Sequence, residues 1–332
     1  MKHILKISAW MCLGLQLFAQ TPASISGPLV GLVSTATGIR PIIGVLGACT
    51  LGEPISLPDG ISHAFLAPSQ PWAVVTQNGL AGIVRFNGIT PGPVTPIPAA
   101  FSNPATVGFS PSGRSAILIS DRSSSSTMQV LSHLDSSPQV SLEIDLSQLD
   151  VRTVVIDDDG MFPVVLTTEG ELYLLKSSGS AMPIFRTGPR SAVGFLPNQQ
   201  VLAVADGSAT AIVMIDGLSS QPFTRQVVSG PSLSGTGAFL QGSSDGNSLI
   251  LSSGKSIYHI DLTNQTLSVV NLQVSAARLD RLNGDLFVVS ANPNEAAWLA
   301  LFDGVSLKVG FAQSTDRPLE RTPIRRTAQT LP

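Results

Sequence analysis

A turn phrase returns six times along the chain, and no other feature limits the fold as strongly. Phe65-Leu66-Ala67-Pro68-Ser69 is followed by Phe109-Ser110-Pro111-Ser112-Gly113, Ile156-Asp157-Asp158-Asp159-Gly160 and Phe195-Leu196-Pro197-Asn198-Gln199. Gly242-Ser243-Ser244-Asp245-Gly246 and Asp280-Arg281-Leu282-Asn283-Gly284 complete the series. The last residues of successive phrases are 44, 47, 39, 47 and 38 apart, averaging 43. That step lies within the ~40 to 45 residues of a four-stranded propeller blade, a unit that buries its apolar face only by stacking on its neighbours.

The same grammar follows each phrase. An apolar strand such as Val201 to Val204 or Leu249 to Leu251 comes first, then a polar break, then a second strand such as Ala211 to Ile215 or Ser256 to Ile260. A tight turn and a more polar strand close the unit, so four short antiparallel strands per unit is the economical reading. Capped apolar windows of helical period are missing, because Gly, Pro, Ser and Thr interrupt them. Six inner hairpins fall near 61 to 77, 105 to 121, 151 to 167, 191 to 205, 236 to 252 and 276 to 290. Outer hairpins number seven, the surplus one spanning residues 29 to 46. The expectation is an all-β propeller of about seven blades, with six as the alternative, and the surplus hairpin forming or completing a blade. Ring closure removes exposed sheet edges, which gives that hairpin a reason to exist.

Composition agrees. Only 12% of residues are charged, about half the ~25% of ordinary soluble domains, and 30 Gly with 24 Pro exceed average usage. Many turns and few solvated helix faces are implied, and disorder, collagen and coiled coil are excluded. Lys2 and Lys6 precede an apolar stretch from Ile7 to Phe18, with small Ala19 after it, which is the form of a cleaved secretory signal. Residues 1 to 19 are read as that signal, 20 to 313 as the propeller domain and 314 to 332 as a flexible tail. The expected location is therefore outside the cytoplasm, periplasmic or secreted, with no membrane span in the mature chain. Without Lys2 and Lys6 the charge falls from −3 to −5, which offers no electrostatic reason to hold nucleic acid.

Three stretches carry a resemblance: PWAVVTQNGLAGIVRFNG at 71 to 88, GRSAILISDRSSSSTMQVLS at 113 to 132 and VLAVADGSATAIVMIDG at 201 to 217. In pattern they resemble extracytoplasmic propellers with YVTN-type repeats, whose relatives include lactonase-like propellers. The resemblance covers about residues 58 to 312 and implies the fold; only Val75-Thr76 approaches the YVT core. One fold hosts many functions, so it implies no particular activity.

Chemistry-bearing motifs are sparse. Asp157-Asp158-Asp159-Gly160 is the sharpest acidic cluster, but it lacks the spaced ligands and distal Glu of a calcium loop, and turn chemistry accounts for Asp and Gly there. His63, His133 and His259 stand one per unit without partners at zinc-ligand spacing. No G-x-S-x-G elbow marks a nucleophile, and Gly235-Thr236-Gly237 lacks the Lys of a phosphate loop. Trp72 and Trp298 read as packing residues, and Cys49 as a small buried thiol. No catalytic residue, metal or cofactor is expected. The functional expectation is a binding scaffold for a protein or glycan; the alternative is a lactonase-like or other hydrolase at the mouth of the central channel. In a propeller the turns between second and third strands share one face with the connections between blades, and loops on a rigid scaffold commonly carry binding. That face is expected to hold Asn78, Asp121, Arg122, Glu169, Asp206, Lys255, Asn294 and Glu295.

Overall fold

The computed structural model describes residues 27–35, 37–120, 126–233, 237–291 and 296–314. The expected signal and all of the expected tail except Ser314 lie outside the described residues. Every regular element among those residues is a β-strand, and no helix is long and apolar enough to cross a membrane.

Five four-stranded antiparallel sheets follow one plan, each strand pairing with the next in sequence. They are β4 (Ile61–Leu66), β5 (Trp72–Gln77), β6 (Leu80–Asn87), β7 (Thr90–Pro96); then β8 (Thr106–Phe109), β9 (Ala116–Ile119), β10 (Thr127–Ser132), β11 (Gln139–Asp145). Next come β12 (Val151–Val155), β13 (Val164–Thr167), β14 (Glu171–Leu175), β15 (Ala181–Arg186), and β16 (Ala192–Phe195), β17 (Leu202–Asp206), β18 (Ala211–Asp216), β19 (Phe223–Ser229). The fifth is β20 (Ala238–Gly242), β21 (Ser248–Ser253), β22 (Ser256–Asp261), β23 (Thr266–Asn271). The last unit, β24 (Asp280–Asn283), β25 (Leu286–Ala291), β26 (Ala296–Phe302) and β27 (Leu307–Ser314), shares a seven-stranded sheet with β1 (Leu29–Thr35), β2 (Gly38–Val45) and β3 (Ala48–Leu51).

Burial grades across each sheet and explains the sequence pattern. Second strands such as β9 (AILI) and β13 (VVLT) are buried at every position, so they read as continuous apolar runs instead of alternating ones. Fourth strands such as β19 and β23 are mostly exposed and carry polar residues. The apolar faces meet between sheets, not within them: Val164, Leu166 and Leu172 pack on Val193, Leu202 and Val204 of the next unit. Equivalent clusters join every neighbouring pair of units around to β1–β3, which packs on β24–β27 through Val33, Ile42 and Leu286 and on β4–β7 through Ile39, Ala73 and Val75. The result is a ring of stacked sheets, a propeller-like all-β fold.

The sequence period has a backbone cause. In all six phrases a residue lies at positive φ: Ser69 55°, Gly113 74°, Gly160 72°, Asn198 55°, Gly246 70° and Gly284 51°. Only Gly and, less readily, Asn or a strained residue take that region, so the turn between first and second strand recurs as a visible motif.

The surplus hairpin departs from its expected outer position. β1 lines the centre of the ring, and a third strand that the sequence did not announce, β3, pairs in parallel with β27 at Cys49–Ala312, Thr50–Gln313 and Leu51–Ser314. Strand alternation across this sheet makes β1 run opposite to β24, so it is not a copy of the other inner strands. The hairpin pattern resembled outer hairpins because β2, buried at Ile39 to Ile42, is paired on both sides, by β1 and β3.

Candidate functional site

The first strands of the six repeats, together with β1, surround a central channel of about 830 Å3. A first strand pairs with only one neighbour, so its other edge turns toward the channel with backbone N–H and C=O groups that need partners. Most of the wall is apolar or backbone; its charges are Arg152, Arg278, Arg281 and Asp280. The channel has two ends. Each of the six repeat first strands begins at the upper end and turns back at the lower end, where the positive-φ turns of the repeated phrases lie.

The lower end is tied together by side chains. Asp158 accepts from Ser112 N at 2.7 Å and Asn198 N at 2.8 Å, bridging the units before and after its own, and its carbonyl accepts Ser115 Oγ at 3.0 Å. Gln70 Nε2 donates to Ser112 O at 2.9 Å, extending the chain of ties to the first repeat. Asp285 accepts from Ser244 N and Oγ at 2.6 and 2.7 Å and pairs with Arg281 at 2.9 Å. Arg281, almost fully buried, also donates to the carbonyls of Gly284 and Gly242. Asp157, buried at the same turn, accepts Met161 N and Phe162 N at 2.8 Å; burial nevertheless pushes its carboxyl up. Among the described residues no group of three or more His, Cys, Asp or Glu is placed to hold a metal ion.

Charge at the upper end is arranged differently. Arg152 occupies a β-bulge between Val151 and Thr153, a distortion that re-aims a side chain and is common beside binding sites. Its two terminal nitrogens donate to the carbonyls of Pro189 and Ser191 in the next unit. Burial lowers its pKa, and no anion among the described residues counteracts that shift. Across the channel, Arg278 Nη1 donates to Ser34 O of β1 at 3.0 Å. Arg278 Nε lies 3.0 Å from Asp280 Oδ2 as an ion pair, yet it makes no aligned hydrogen bond. Asp280 keeps 57% of its side-chain surface accessible because the channel admits water. Protein nevertheless encloses it, and this desolvation pushes its carboxyl up against the downward pull of Arg278.

Of the eight residues that the sequence assigned to a binding face, Asp121, Arg122, Asn294 and Glu295 lie outside the described residues. Asn78, Glu169 and Lys255 are exposed in turns at the upper face, Asn78 with a φ of 49°. Asp206 is at that face too, but buried: it accepts from Gly188 N at 3.0 Å, Ser208 N at 2.9 Å and Ser208 Oγ at 2.8 Å. Burial raises its pKa, but those hydrogen bonds outweigh burial and hold it below the usual carboxylate range. Asp206 therefore fixes a connection between units. Arg152, Arg278 and Asp280 were missed by sequence reasoning. Their one signal is position, since each stands at or just before the start of an inner strand where several other repeats carry small or apolar residues.

Other motifs sit quietly in the fold. Cys49 is buried and donates its thiol to Phe311 O at 3.5 Å. Trp72 is buried under the Arg85 guanidinium, 5.2 Å from its ring centroid. His259 stacks on Phe302 at 4.1 Å, and burial pushes its pKa down.

No family model matches the chain, and no curated protein does. Solved structures resemble it in fold. A functionally unknown protein from Desulfotomaculum acetoxidans DSM 771 superposes with a TM-score of 0.54 at 14% identity, over 83% of this chain and 96% of that one. A protein from Lactobacillus plantarum gives 0.51 at 14% identity, over 85% and 98%. Likeness at that identity speaks for the fold alone.

Proposed function

We propose that the chain is a seven-bladed propeller, exported from the cytoplasm, that binds a ligand or partner at its upper face. The observation that carries this reading is the channel of about 830 Å3 walled by seven inner strands, with Arg152 and Arg278 at its upper end. Cavities of ~300 to 1,000 Å3 with apolar walls and a few placed polar groups are the usual form of small-molecule sites. Seven apolar clusters between units support the blade count, β1–β3 acting as the reduced blade that closes the ring. Export rests on Lys2, Lys6 and the apolar stretch after them. Membership of the YVTN-type, lactonase-like propellers rests on the pattern of the blades.

A protein or glycan partner meets Asn78, Glu169 and Lys255 around the mouth. The test replaces Arg152, Glu169 and Lys255 together by Ala and compares capture from envelope extract of the source organism with that by the folded wild type. Loss of capture is expected; equal capture moves the site elsewhere. A second reading, a hydrolase at the same mouth, draws on the convergence of Arg152, Arg278 and Asp280. Turnover of a panel of lactones and esters that disappears in Arg152→Ala would favour it.

A further inference from the structure

We propose that the upper end of the channel is an anion site, taking a small molecule that carries an ionised carboxylate or phosphate between Arg152 and Arg278. This rests on the reading of the upper face as the binding face and names the chemistry of what enters there. The charged residues of the channel wall are three arginines and one aspartate, and at its upper end Arg152, Arg278 and Asp280 leave a formal +1, in a chain whose total is −3. An excess of one sign of charge between low-dielectric walls focuses its field and raises the local concentration of the opposite sign.

Of the three arginines, Arg281 is neutralised by Asp285 at the lower end. Among the described residues Arg152 has carbonyl partners only. A half-buried guanidinium with no counter-charge among the described residues has lost part of its hydration with only dipoles in return, and those two bonds use two of its five N–H donors. Arg278 has a buried Nε–H with no aligned acceptor. Its one carboxylate neighbour, Asp280, is open to channel water and misaligned. A planar or tetrahedral oxyanion supplies what both guanidiniums lack, since charge-assisted bonds to such groups are the strong ones. Asp280 acts in the opposite sense, repelling an anion from Arg278 and weakening the site.

Two probes distinguish the sources of the oxyanion: succinate for carboxylate and inorganic phosphate for phosphate. Binding to the full-length folded protein is read by titration calorimetry and by the rise in Tm, with sodium chloride at matched ionic strength as the baseline. One probe is expected to bind saturably, and the better one identifies the class. Arg152→Gln and Arg278→Gln each weaken it about tenfold or more, the loss of a charge-assisted hydrogen bond. Because both arginines also join neighbouring units, their variants are expected to lose stability as well. Asp280→Asn keeps both guanidiniums, removes the competing charge and is expected to bind several-fold tighter than wild type. No binding of either probe above the chloride baseline by wild type and Asp280→Asn overturns the proposal, as does binding that Asp280→Asn leaves unchanged or weakens. The capture experiment reports separately: equal capture by wild type and the upper-face triple variant defeats the binding-face reading whatever the anion data show.

Discussion

At the lower end of the channel Asp158 holds a backbone N–H of each neighbouring unit and Asp285 holds Ser244 N, and the buried Arg281 has a carboxylate 2.9 Å away. At the upper end Arg152 holds only carbonyls, Arg278 and Asp280 meet off line, and Glu169 and Lys255 stand in solvent. Both ends are made by the same repeat. The difference shows that charge density in a sequence does not locate a site: Asp157 and Asp158 of the dense acidic run are fastened into the frame, while the scattered arginines keep donors to offer.

The largest effect that tests this contrast belongs to Asp158. Asp158→Ala removes the acceptor of two backbone N–H groups in two different units, and hydrogen bonds to a charged group contribute ~1.5 to 3 kcal/mol each. A loss of about 3 to 6 kcal/mol in urea unfolding is expected; a change below about 0.5 kcal/mol, the scale of surface substitutions, would show the lower end to be as loose as the upper. A smaller effect sharpens the contrast within the upper face. Asp206→Ala should cost about 1 to 3 kcal/mol by leaving Gly188 N and Ser208 N without their acceptor, whereas Glu169→Ala and Lys255→Ala should stay within about 0.5 kcal/mol. Equal losses in all three would mean that this face has no division between frame and free surface.

The mildest test is acid. Hydrogen bonds from Ser243 and Asn247 hold Asp245 below the usual carboxylate range, and Asp206 is held down against its burial. Their folded values lie below the unfolded one, so their contribution is complete above about pH 3.9 and is lost as pH falls through the folded values. Asp280 behaves in reverse: its folded value is raised, so its contribution is fullest at low pH and declines as pH rises through that value. Melting between pH 5 and 2 should therefore show Tm falling below pH about 4, with the fall reduced in Asp245→Asn. A Tm that rises throughout that range would mean that the raised carboxylates dominate.

Much of the fold could be read from the chain because its period is set locally. A turn that needs positive φ marks itself with Gly or Asn, and second strands buried on both faces mark themselves with unbroken apolar runs. The site could be read only in outline. Asn78, Glu169 and Lys255 lie at the expected face because turn placement follows from strand order. Asp206 has the same placement, but its burial depends on Gly188 and Ser208 approaching it, which spacing does not reveal. Arg152 and Arg278 face one space only because seven strands from distant parts of the chain converge there. The inner position of β1 is hidden for a similar reason: it follows from β3 pairing with β27, a contact between the two ends of the described chain.

That parallel pairing also sets an order of events in time. Almost all other strand pairs join neighbours in sequence, whereas Cys49 to Leu51 must find Ala312 to Ser314 after nearly the whole chain has been made. Loop-closure entropy opposes contacts between such distant partners until the intervening units have formed. The clasp therefore closes last, and amide hydrogens along it exchange sooner than those of β9 or β13. Until it closes, the seven inner strands have no common centre, and the channel with its two arginines does not yet exist.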